Sequence, residues 1–327
     1  MNSKAVPISK YSRIKVGITF GDPSGIGPFI IAKALSRICG LARFAIIGDR
    51  WVFKRASGLA RAAGGGLNFI DLDNVAHADF RFGRIAPEYG RASMEYLDKA
   101  MEMIRHKKVD CLVTGPISKT AINLAGYRYS GHTEYLAEKN AADKIGMMLL
   151  NDGLRFALVT RHISVKQVPQ ALTAHKITAT TLLAYSSLKK AFLIKEPRIV
   201  VCGLNPHASD NGLIGREESQ VIAPAVESLR SKIRYIEGPL PADAAIAKAK
   251  DGKYDCVIAM YHDQAMIPLK LLGRDKGVNL TLGLDFIRTS PLHGTAFDIA
   301  GTNQANPGSF IEAVKLALQC TLNLKKD

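Results

Sequence analysis

The sequence predicts an α/β protein with a mainly parallel sheet covered by helices. Short runs rich in β-branched residues alternate along its 327 residues with amphipathic stretches of helical length. This alternation is typical of β–α–β units, in which a helix crosses over the sheet between two parallel strands. A composition of 47% hydrophobic and 22% charged residues fits an ordinary globular core. No segment approaches the roughly 18 consecutive apolar residues of a membrane span.

The predicted strands are runs dominated by Val, Ile, Leu, Phe and Cys, and the predicted helices have apolar residues three or four apart. In chain order the strands are residues 15–20, 44–47, 111–114, 156–160, 198–202, 255–260 and 278–282. The helices are residues 29–38, 88–106, 133–140, 178–194, 217–231, 243–250 and 308–324. The glycines at 64–66 indicate a turn. The basic N-terminal segment indicates a frayed tail, because it lacks the apolar core of a secretory signal.

Charge and cysteine content limit the classes of function. A net charge of +15 and a pI near 9.6 permit nucleic-acid binding, which is the alternative from a different class. The Lys and Arg residues are scattered without aromatic interleaving, so nucleic acid is an unlikely partner, and a positive field also suits small phosphorylated molecules. Five cysteines without a CxxC pair fit a reducing cytoplasm, and Cys111, Cys202 and Cys256 lie in apolar runs that predict burial.

Three histidines follow apolar runs where strands are expected to end. They are His162 in LVTRHIS, His207 in GLNPHASDNG and His262 in AMYHDQAMIP. Open α/β sheets bind ligands just outside the carboxyl ends of their strands. Three imidazoles at one such edge would form a metal site with an open position, as in catalytic rather than structural sites. The alternative is a set of ordinary loop or capping histidines.

Glycine-rich turns follow two of the predicted strands. Residues 21–28, GDPSGIGP, place flexible backbone and a helix start where an anion or a cofactor could approach. They are not a Rossmann fingerprint, because Ile30 stands at the third glycine position. TGPISK at 114–119 repeats this arrangement. His132 and Thr133 follow in SGHTE, where Thr133 either caps a helix or, with His132, donates to a substrate anion.

Several charged residues suit substrate chemistry. Asp263 follows His262 and could orient its imidazole, transfer a proton or cap a helix. Asp243 in PLPADAA is either a helix N-cap or a second acid–base group. Lys270, Asn279 and Arg288 are spaced nine residues apart and suit a phosphorylated or carboxylated substrate. The Gly-, Thr- and Ser-rich loop at 283–301 could hold a pyrophosphate or adenosine.

Together these segments resemble the 4-hydroxythreonine-4-phosphate dehydrogenases of pyridoxal phosphate biosynthesis. The matching segments, from residue 21 to residue 301, are GDPSGIGP, TGPISK, SGHTEYLAE, the apolar stretch ending in His162, CGLNPHASDNGLIGREE, GPLPADAA, MYHDQAMIPLK, GVNLTLGL and FIRTSPLHGTAFDIAG. The resemblance implies a two-lobed α/β/α fold similar to the isocitrate and isopropylmalate dehydrogenases, without a GxGxxG site. It also implies a homodimer with its active site at the subunit interface.

Site segments recur from residue 20 to residue 300 without an obvious linker, which predicts a cleft between two lobes. The expected first lobe is discontinuous and comprises residues 1–127 plus 280–327. The expected second lobe comprises residues 128–279.

The resemblance implies an enzyme that uses NAD or NADP and a divalent metal. It would oxidise 4-phosphooxy-L-threonine to 2-amino-3-oxo-4-phosphooxybutanoate, which decarboxylates to 3-amino-2-oxopropyl phosphate. His162, His207 and His262 match the family's metal ligands. Zinc is the expected metal for three imidazoles, with cobalt or magnesium as alternatives.

The resemblance also implies roles for other residues of this chain. The expected substrate contacts are His132, Thr133, Lys270, Asn279 and Arg288. The expected dinucleotide contacts are Gly283, Thr289, Ser290, His293, Gly294 and Thr295. Asp243 and Asp263 are the carboxylates expected to transfer protons.

Four residues depart from the family pattern. Phe29 replaces an acidic residue after Gly-Pro, Asp285 stands where proline is common, and Leu292 replaces an acidic residue before His293. Arg161 replaces a small or polar residue before His162. The departures at 285 and 292 lie beside the expected dinucleotide site and leave the choice between NAD and NADP open. Arg161 adds a positive charge beside the expected metal site and leaves a different acidic substrate open. The alternative function is that of a related dehydrogenase acting on a phosphorylated threonate or erythronate, or on a dihydrodiol carboxylate.

Overall fold

The structure, a computed structural model, describes residues 10–60, 68–142, 144–273 and 275–326, so the predicted turn at 64–66 and most of the predicted N-terminal tail lie outside it. The chain divides into two compact units. The first comprises the described residues up to Ala141 together with Leu284–Lys326, and the second comprises Ala142–Gly283. The sequence placed these boundaries at 127/128 and 279/280.

The described strands and helices are numbered in chain order. The strands are β1 (Lys15–Thr19), β2 (Arg43–Gly48), β3 (Asn68–Asp71), β4 (Cys111–Thr114), β5 (Gly146–Asn151), β6 (Leu154–Leu158), β7 (Arg198–Cys202), β8 (Tyr235–Leu240), β9 (Cys256–Ala259), β10 (Val278–Leu282) and β11 (Ile287–Pro291). The helices are α1 (Gly27–Ile38), α2 (Arg50–Ala60), α3 (Pro87–Arg105), α4 (Lys119–Leu124), α5 (His132–Lys139), α6 (Val168–Ala171), α7 (Ala174–Lys190), α8 (Ala223–Leu229), α9 (Ala242–Lys250), α10 (His262–Leu271) and α11 (Gly308–Leu324).

In the first unit the strands pair in the order β3-β2-β1-β4-β11, and each of these pairings is parallel. Every residue of β4 and β11 is buried. Since neighbouring residues of a strand point to opposite faces, burial of every residue means that both faces of the sheet are covered. The loops after β4 and β11, two neighbouring strands, therefore lie at one edge of the sheet.

In the second unit the strands pair in the order β10-β5-β6-β9-β7-β8. Strand β5 is antiparallel to both neighbours, and the remaining pairings are parallel. Asp152 and Gly153, both with positive φ, form the tight turn between β5 and β6. The predicted α/β class with a mainly parallel sheet is confirmed. The three histidine-bearing segments follow β6, β7 and β9, and His262 is the first residue of α10.

Some elements were not predicted because their sequences are atypical. Strand β11, IRTSP, contains Arg, Thr and Ser and yet is fully buried, so it was interpreted as part of a loop. Helix α10 contains Pro268, which disfavours a helical prediction. The capping alternatives for Thr133 and Asp243 are wrong. Helix α5 has Gly131 as its N-cap, so Thr133 lies in the first turn of that helix. Helix α9 has Pro241 as its N-cap, so Asp243 lies in the first turn of α9.

Candidate functional site

Arg288 on β11 is the centre of a buried polar pocket in the first unit. Its side chain is 1% exposed, and its Nη2 donates a 2.6 Å hydrogen bond to Oγ1 of Thr114 at the end of β4. Burial lowers the pKa of Arg288 to about 9, while the nearby carboxylate of Glu134 acts in the opposite direction. Arg288 therefore remains a cation at neutral pH, inside the fold at the edge of the sheet.

His132 opens helix α5 beside this cation. Burial, and secondarily the charge of Arg288, hold the pKa of His132 well below its usual value, so the imidazole is neutral at pH 7. Its Nε2 atom is buried and has no hydrogen-bond partner among the described residues. Buried polar atoms are normally satisfied, and the N-terminus of a helix attracts anions. The first turn of α5, with the buried Thr133, therefore has the chemistry of an anion site.

The loop after β11 contacts the glycine-rich turn that precedes α1. The Ile26 amide donates to the Thr295 carbonyl oxygen at 3.0 Å, and a Cβ at Gly25 would lie 3.1 Å from that oxygen. In the same loop, Nδ1 of His293 lies 3.1 Å from the carbonyl oxygen of Gly294. The Nε2 of His293 is buried without a hydrogen-bond partner among the described residues, and burial lowers its pKa. This loop therefore also presents a neutral imidazole that lacks a partner.

Asp22 is a buried carboxyl group in that turn which sequence reasoning did not single out. Its Oδ1 accepts a 3.0 Å hydrogen bond from the Ser24 amide, whereas its buried Oδ2 has no partner in the described chain. Burial raises the pKa of Asp22 to about 6, and the bonds from Ser24 partly offset this. The acidic residue in the GDPSG motif was the available signal.

Two other predicted cofactor residues already have structural roles. Thr289 is buried and donates its hydroxyl to the Ala313 carbonyl oxygen of α11. Gly283 has a φ of +89°, and a Cβ there would lie 2.1 Å from the Lys144 carbonyl oxygen. The positive φ and the close approach of this carbonyl oxygen therefore require glycine at position 283. Ser290 is buried on β11, and Gly294 is exposed in the loop that follows.

Two of the three predicted metal ligands lie together in the second unit. The ring centroids of His162 and His262 are 6.0 Å apart. A single ion can span that gap, since metal–nitrogen bonds are about 2.0–2.1 Å long. Nδ1 of His262 lies 2.7 Å from Oδ1 of Asp263, the arrangement in which a carboxylate orients an imidazole.

His207 does not join this pair in the observed conformation. Within the described parts of the chain, no group of three or more His, Cys, Asp or Glu side chains could hold a metal ion. His207 and the next four residues, none of them glycine, all have φ between 47° and 68°. Such a left-handed run is strained. The donor set suits a transition metal, but the geometry supplies only two of its three nitrogen ligands.

Polar side chains that sequence reasoning missed fix the base of the His207 loop. Glu218 is 3% exposed, and its Oε1 accepts 2.8 Å hydrogen bonds from the amides of Leu204 and Asn205. Gln264 accepts from the Met260 amide and donates to the Gly203 carbonyl oxygen, so it ties the end of β9 to the end of β7. The available signal was the pair of adjacent acidic residues in GREE.

The remaining predicted residues differ in exposure. Asp243 and Lys270 are exposed on α9 and α10. Asn279 lies on β10, and its Oδ1 is buried without a partner in the described chain. Phe29 is buried and packs edge-on against Phe82 with ring centroids 4.7 Å apart. An acidic residue at position 29 would lack this packing, which accounts for that departure from the family pattern.

The fold and these two regions define an α/β protein with a buried arginine and buried imidazole nitrogens at the edge of a parallel sheet. The chain belongs to the family described as pyridoxal phosphate biosynthetic protein PdxA, whose model matches residues 40–317. The resemblance found in the motifs is therefore confirmed, and the chain is an oxidoreductase.

Relatives cover nearly the whole chain. A curated 4-hydroxythreonine-4-phosphate dehydrogenase of Sulfurihydrogenibium sp. is 45% identical over 93% of this chain and 98% of its own. A D-threonate 4-phosphate dehydrogenase of Salmonella typhimurium is 40% identical, also over 93% and 98%. The crystal structure of 4-hydroxythreonine-4-phosphate dehydrogenase from Klebsiella pneumoniae is 36% identical, covers 95% and 99% of the two chains, and has a TM-score of 0.85.

An isocitrate dehydrogenase from Methylococcus capsulatus is 16% identical, with a TM-score of 0.50 over 95% of this chain and 87% of its own. This likeness shows the fold alone, as the sequence predicted. None of the helices in the described parts of the chain has the length and apolar character that a membrane span requires.

Proposed function

We propose that the chain oxidises 4-phosphooxy-L-threonine with NAD or NADP in pyridoxal phosphate biosynthesis. The observation that carries this proposal is the buried pocket of Arg288, His132 and the first turn of α5, in a member of this family. The substrate carries a phosphate and a carboxylate, and Arg can bind either through two parallel hydrogen bonds. A neutral imidazole and free helical amides add donors without adding charge.

The reaction removes a hydride from the substrate's secondary alcohol and releases the hydroxyl proton. The product, a β-keto acid, then loses carbon dioxide, and the carbon left behind takes up a proton. Asp263 and Asp243 are the groups we assign to proton transfer. Asp263 also holds the imidazole of His262. A carboxylate that orients a ring and exchanges protons nearby is a common combination in such sites.

We assign the dinucleotide to the loop after β11 and a divalent metal, zinc first and cobalt or magnesium next, to the histidines. His293, Gly294 and Thr295 adjoin the glycine-rich turn before α1, and the unpaired Nε2 of His293 is available to a ligand. His162 and His262 would hold the metal with His207. When bound, it would supply Lewis-acid chemistry at the substrate hydroxyl. Lys270 and Asn279 complete the proposed substrate contacts.

We further propose a homodimer formed through the histidine-bearing edge of the second unit. Large hydrophobic side chains are exposed in all three segments that follow β6, β7 and β9. They are Ile163, Val165, Leu213, Ile214, Ile267 and Leu271. Exposed apolar clusters of this kind mark interaction surfaces. Because Ile267, Lys270 and Leu271 share one face of α10, a second copy covering that face would meet the lysine.

A phosphorylated threonate is the second candidate substrate. The relative named D-threonate 4-phosphate dehydrogenase is nearly as similar to this chain as the 4-hydroxythreonine-4-phosphate enzyme. Threonate carries a hydroxyl in place of the ammonium group and is therefore more anionic. Arg161, which directly precedes His162, adds positive charge that would favour the more anionic substrate.

The deciding experiment measures NADH or NADPH formation with 4-phosphooxy-L-threonine and with D-threonate 4-phosphate. Each assay is run before and after chelator treatment, with zinc, cobalt or magnesium then restored. Turnover of the amino-acid phosphate that a chelator abolishes and a metal restores supports the proposal. Turnover of the threonate ester alone would replace it with the second candidate, and turnover of neither by a metal-loaded dimer would refute both.

A further inference from the structure

We propose that Lys119 is a further substrate-binding residue, which supplies the net positive charge of the pocket at the start of helix α5. This inference rests on the proposed binding of a phosphorylated substrate in that pocket. Lys119 belongs to TGPISK, a motif whose lysine has no role in the function proposed above. It is the first residue of α4, a helix capped by Ser118, whose Oγ accepts from the Ala121 amide at 3.1 Å.

The side chain of Lys119 reaches the start of α5. Gly131, the N-cap of α5, lacks a Cβ, and Cε of Lys119 lies 4.0 Å from the position that this Cβ would take. Oε2 of Glu134 lies 3.8 Å from the same point. The lysine stem therefore passes next to the residue that precedes His132. Helix α4 follows β4, the strand whose last residue, Thr114, accepts from Arg288.

Apart from Lys119, the charges of Arg288, Glu134 and His132 at the start of α5 balance one another. The positive charge of Arg288 is opposed by Glu134, which lies close enough to act on the pKa of the guanidinium group. His132 is neutral at pH 7 because of its lowered pKa. Without Lys119 these groups sum to zero, and helical amides alone would attract a doubly charged phosphate. With Lys119 the pocket carries one net positive charge, which favours anion capture.

The ammonium group of Lys119 is available to a ligand. Among the described residues, no carboxylate lies within ion-pair distance of it, whereas Lys99 and Lys139 of the same unit pair with Glu102 and Asp98. Lys119 lies at an open surface depression on α4, which it lines with Thr120, Asn123 and Leu124.

The test compares Lys119→Met and Lys119→Arg with the wild-type protein. Lys54→Met is the matched control, since Lys54 is also an exposed helical lysine of the first unit without a carboxylate partner among the described residues. Binding of inorganic phosphate, with acetate in parallel at equal ionic strength, is measured by calorimetry and thermal shift. KM and kcat are measured for the phosphorylated substrate.

Lys119→Met is expected to weaken phosphate binding and raise KM by about tenfold, while kcat changes less than about twofold. Lys119→Arg and Lys54→Met should stay near the wild type. Unchanged phosphate binding in Lys119→Met, or a wild-type protein that binds neither anion, would overturn the inference. If Lys119→Met weakened acetate binding more than phosphate binding, the lysine would be assigned to the carboxylate of the substrate instead of the phosphate. Lysine-dependent phosphate binding without any dehydrogenase activity would leave the inference intact and refute the proposed function.

Discussion

The buried polar pocket of Arg288 and His132 in the first unit and the histidine-bearing segments of the second unit differ in how firmly the fold holds their side chains. Arg288 and His132 lie on a strand and at the start of a helix, and burial holds both side chains in place. His162 and His207 lie on exposed loops, and His207 begins a strained left-handed run. Groups on regular elements are positioned before any ligand arrives. Groups on loops need further bonds, from a metal or a second subunit, to reach one geometry.

The largest expected effect concerns the histidines of the second unit, of which the structure brings only two together. His207→Ala should weaken metal binding by more than about 100-fold and abolish turnover, because losing a ligand costs more than losing a group that only orients one. Bound metal is counted by elemental analysis after dialysis. His175→Ala is the control, since His175 is exposed on α7 in the same unit. Normal metal content in His207→Ala would restrict the metal site to His162 and His262.

The next largest expected effect concerns the pocket of Arg288 in the first unit. Arg288→Met should lower kcat/KM by about 100-fold or more, because a buried charge-assisted bond to the substrate anion is lost. Metal content should remain normal, since Arg288 belongs to the other unit. Steady-state kinetics and elemental analysis together separate the two regions. A variant with normal KM and kcat would remove Arg288 from the substrate site.

The pH dependence of stability tests the buried turn beside the pocket. The pKa of Asp22 is raised from 3.8 to about 6, so the folded state binds more protons than the unfolded state in that range. Stability is therefore lost as the pH rises from about 4 through 6, by about 3 kcal/mol in total. About half of this loss falls between pH 5 and pH 8. Asp22→Asn should not show this loss of stability, and the free energy of unfolding is measured with urea at pH 5 and pH 8. An equal loss in the Asp22→Asn variant would show that Asp22 is not its cause.

The smallest effect concerns the base of the His207 loop. Glu218→Gln should destabilise the protein by about 1–3 kcal/mol, because its carboxylate accepts buried hydrogen bonds from Leu204 and Asn205. Metal affinity should fall as well, since His207 follows this segment. Glu217→Gln is the matched control, because Glu217 accepts from Asn205 but is not buried. Equal effects of the two substitutions would show that burial of Glu218 does not matter.

The site residues that the sequence predicted differ from those it missed in whether their neighbours along the chain reveal their role. Motif residues such as His132, Arg288 and His262 were named from local sequence, since their neighbours are specific. Glu218, Gln264 and Asp22 were missed, because each acts through partners brought to it by folding. Gln264, for example, bonds to Gly203, which is 61 residues away along the chain. The capping alternatives for Thr133 and Asp243 were wrong because the N-caps of α5 and α9 are Gly131 and Pro241, two positions earlier in the chain.

The sequence by itself determined the α/β class, the parallel strands of apolar residues and the family, because periodicity and local motifs carry that information. Only the tertiary structure decided that the polar segment IRTSP is a buried strand and that Arg288 lies against Thr114. It also decided the neutral state of His132. These outcomes depend on desolvation and on charges from distant parts of the chain, and neither can be calculated from neighbouring residues.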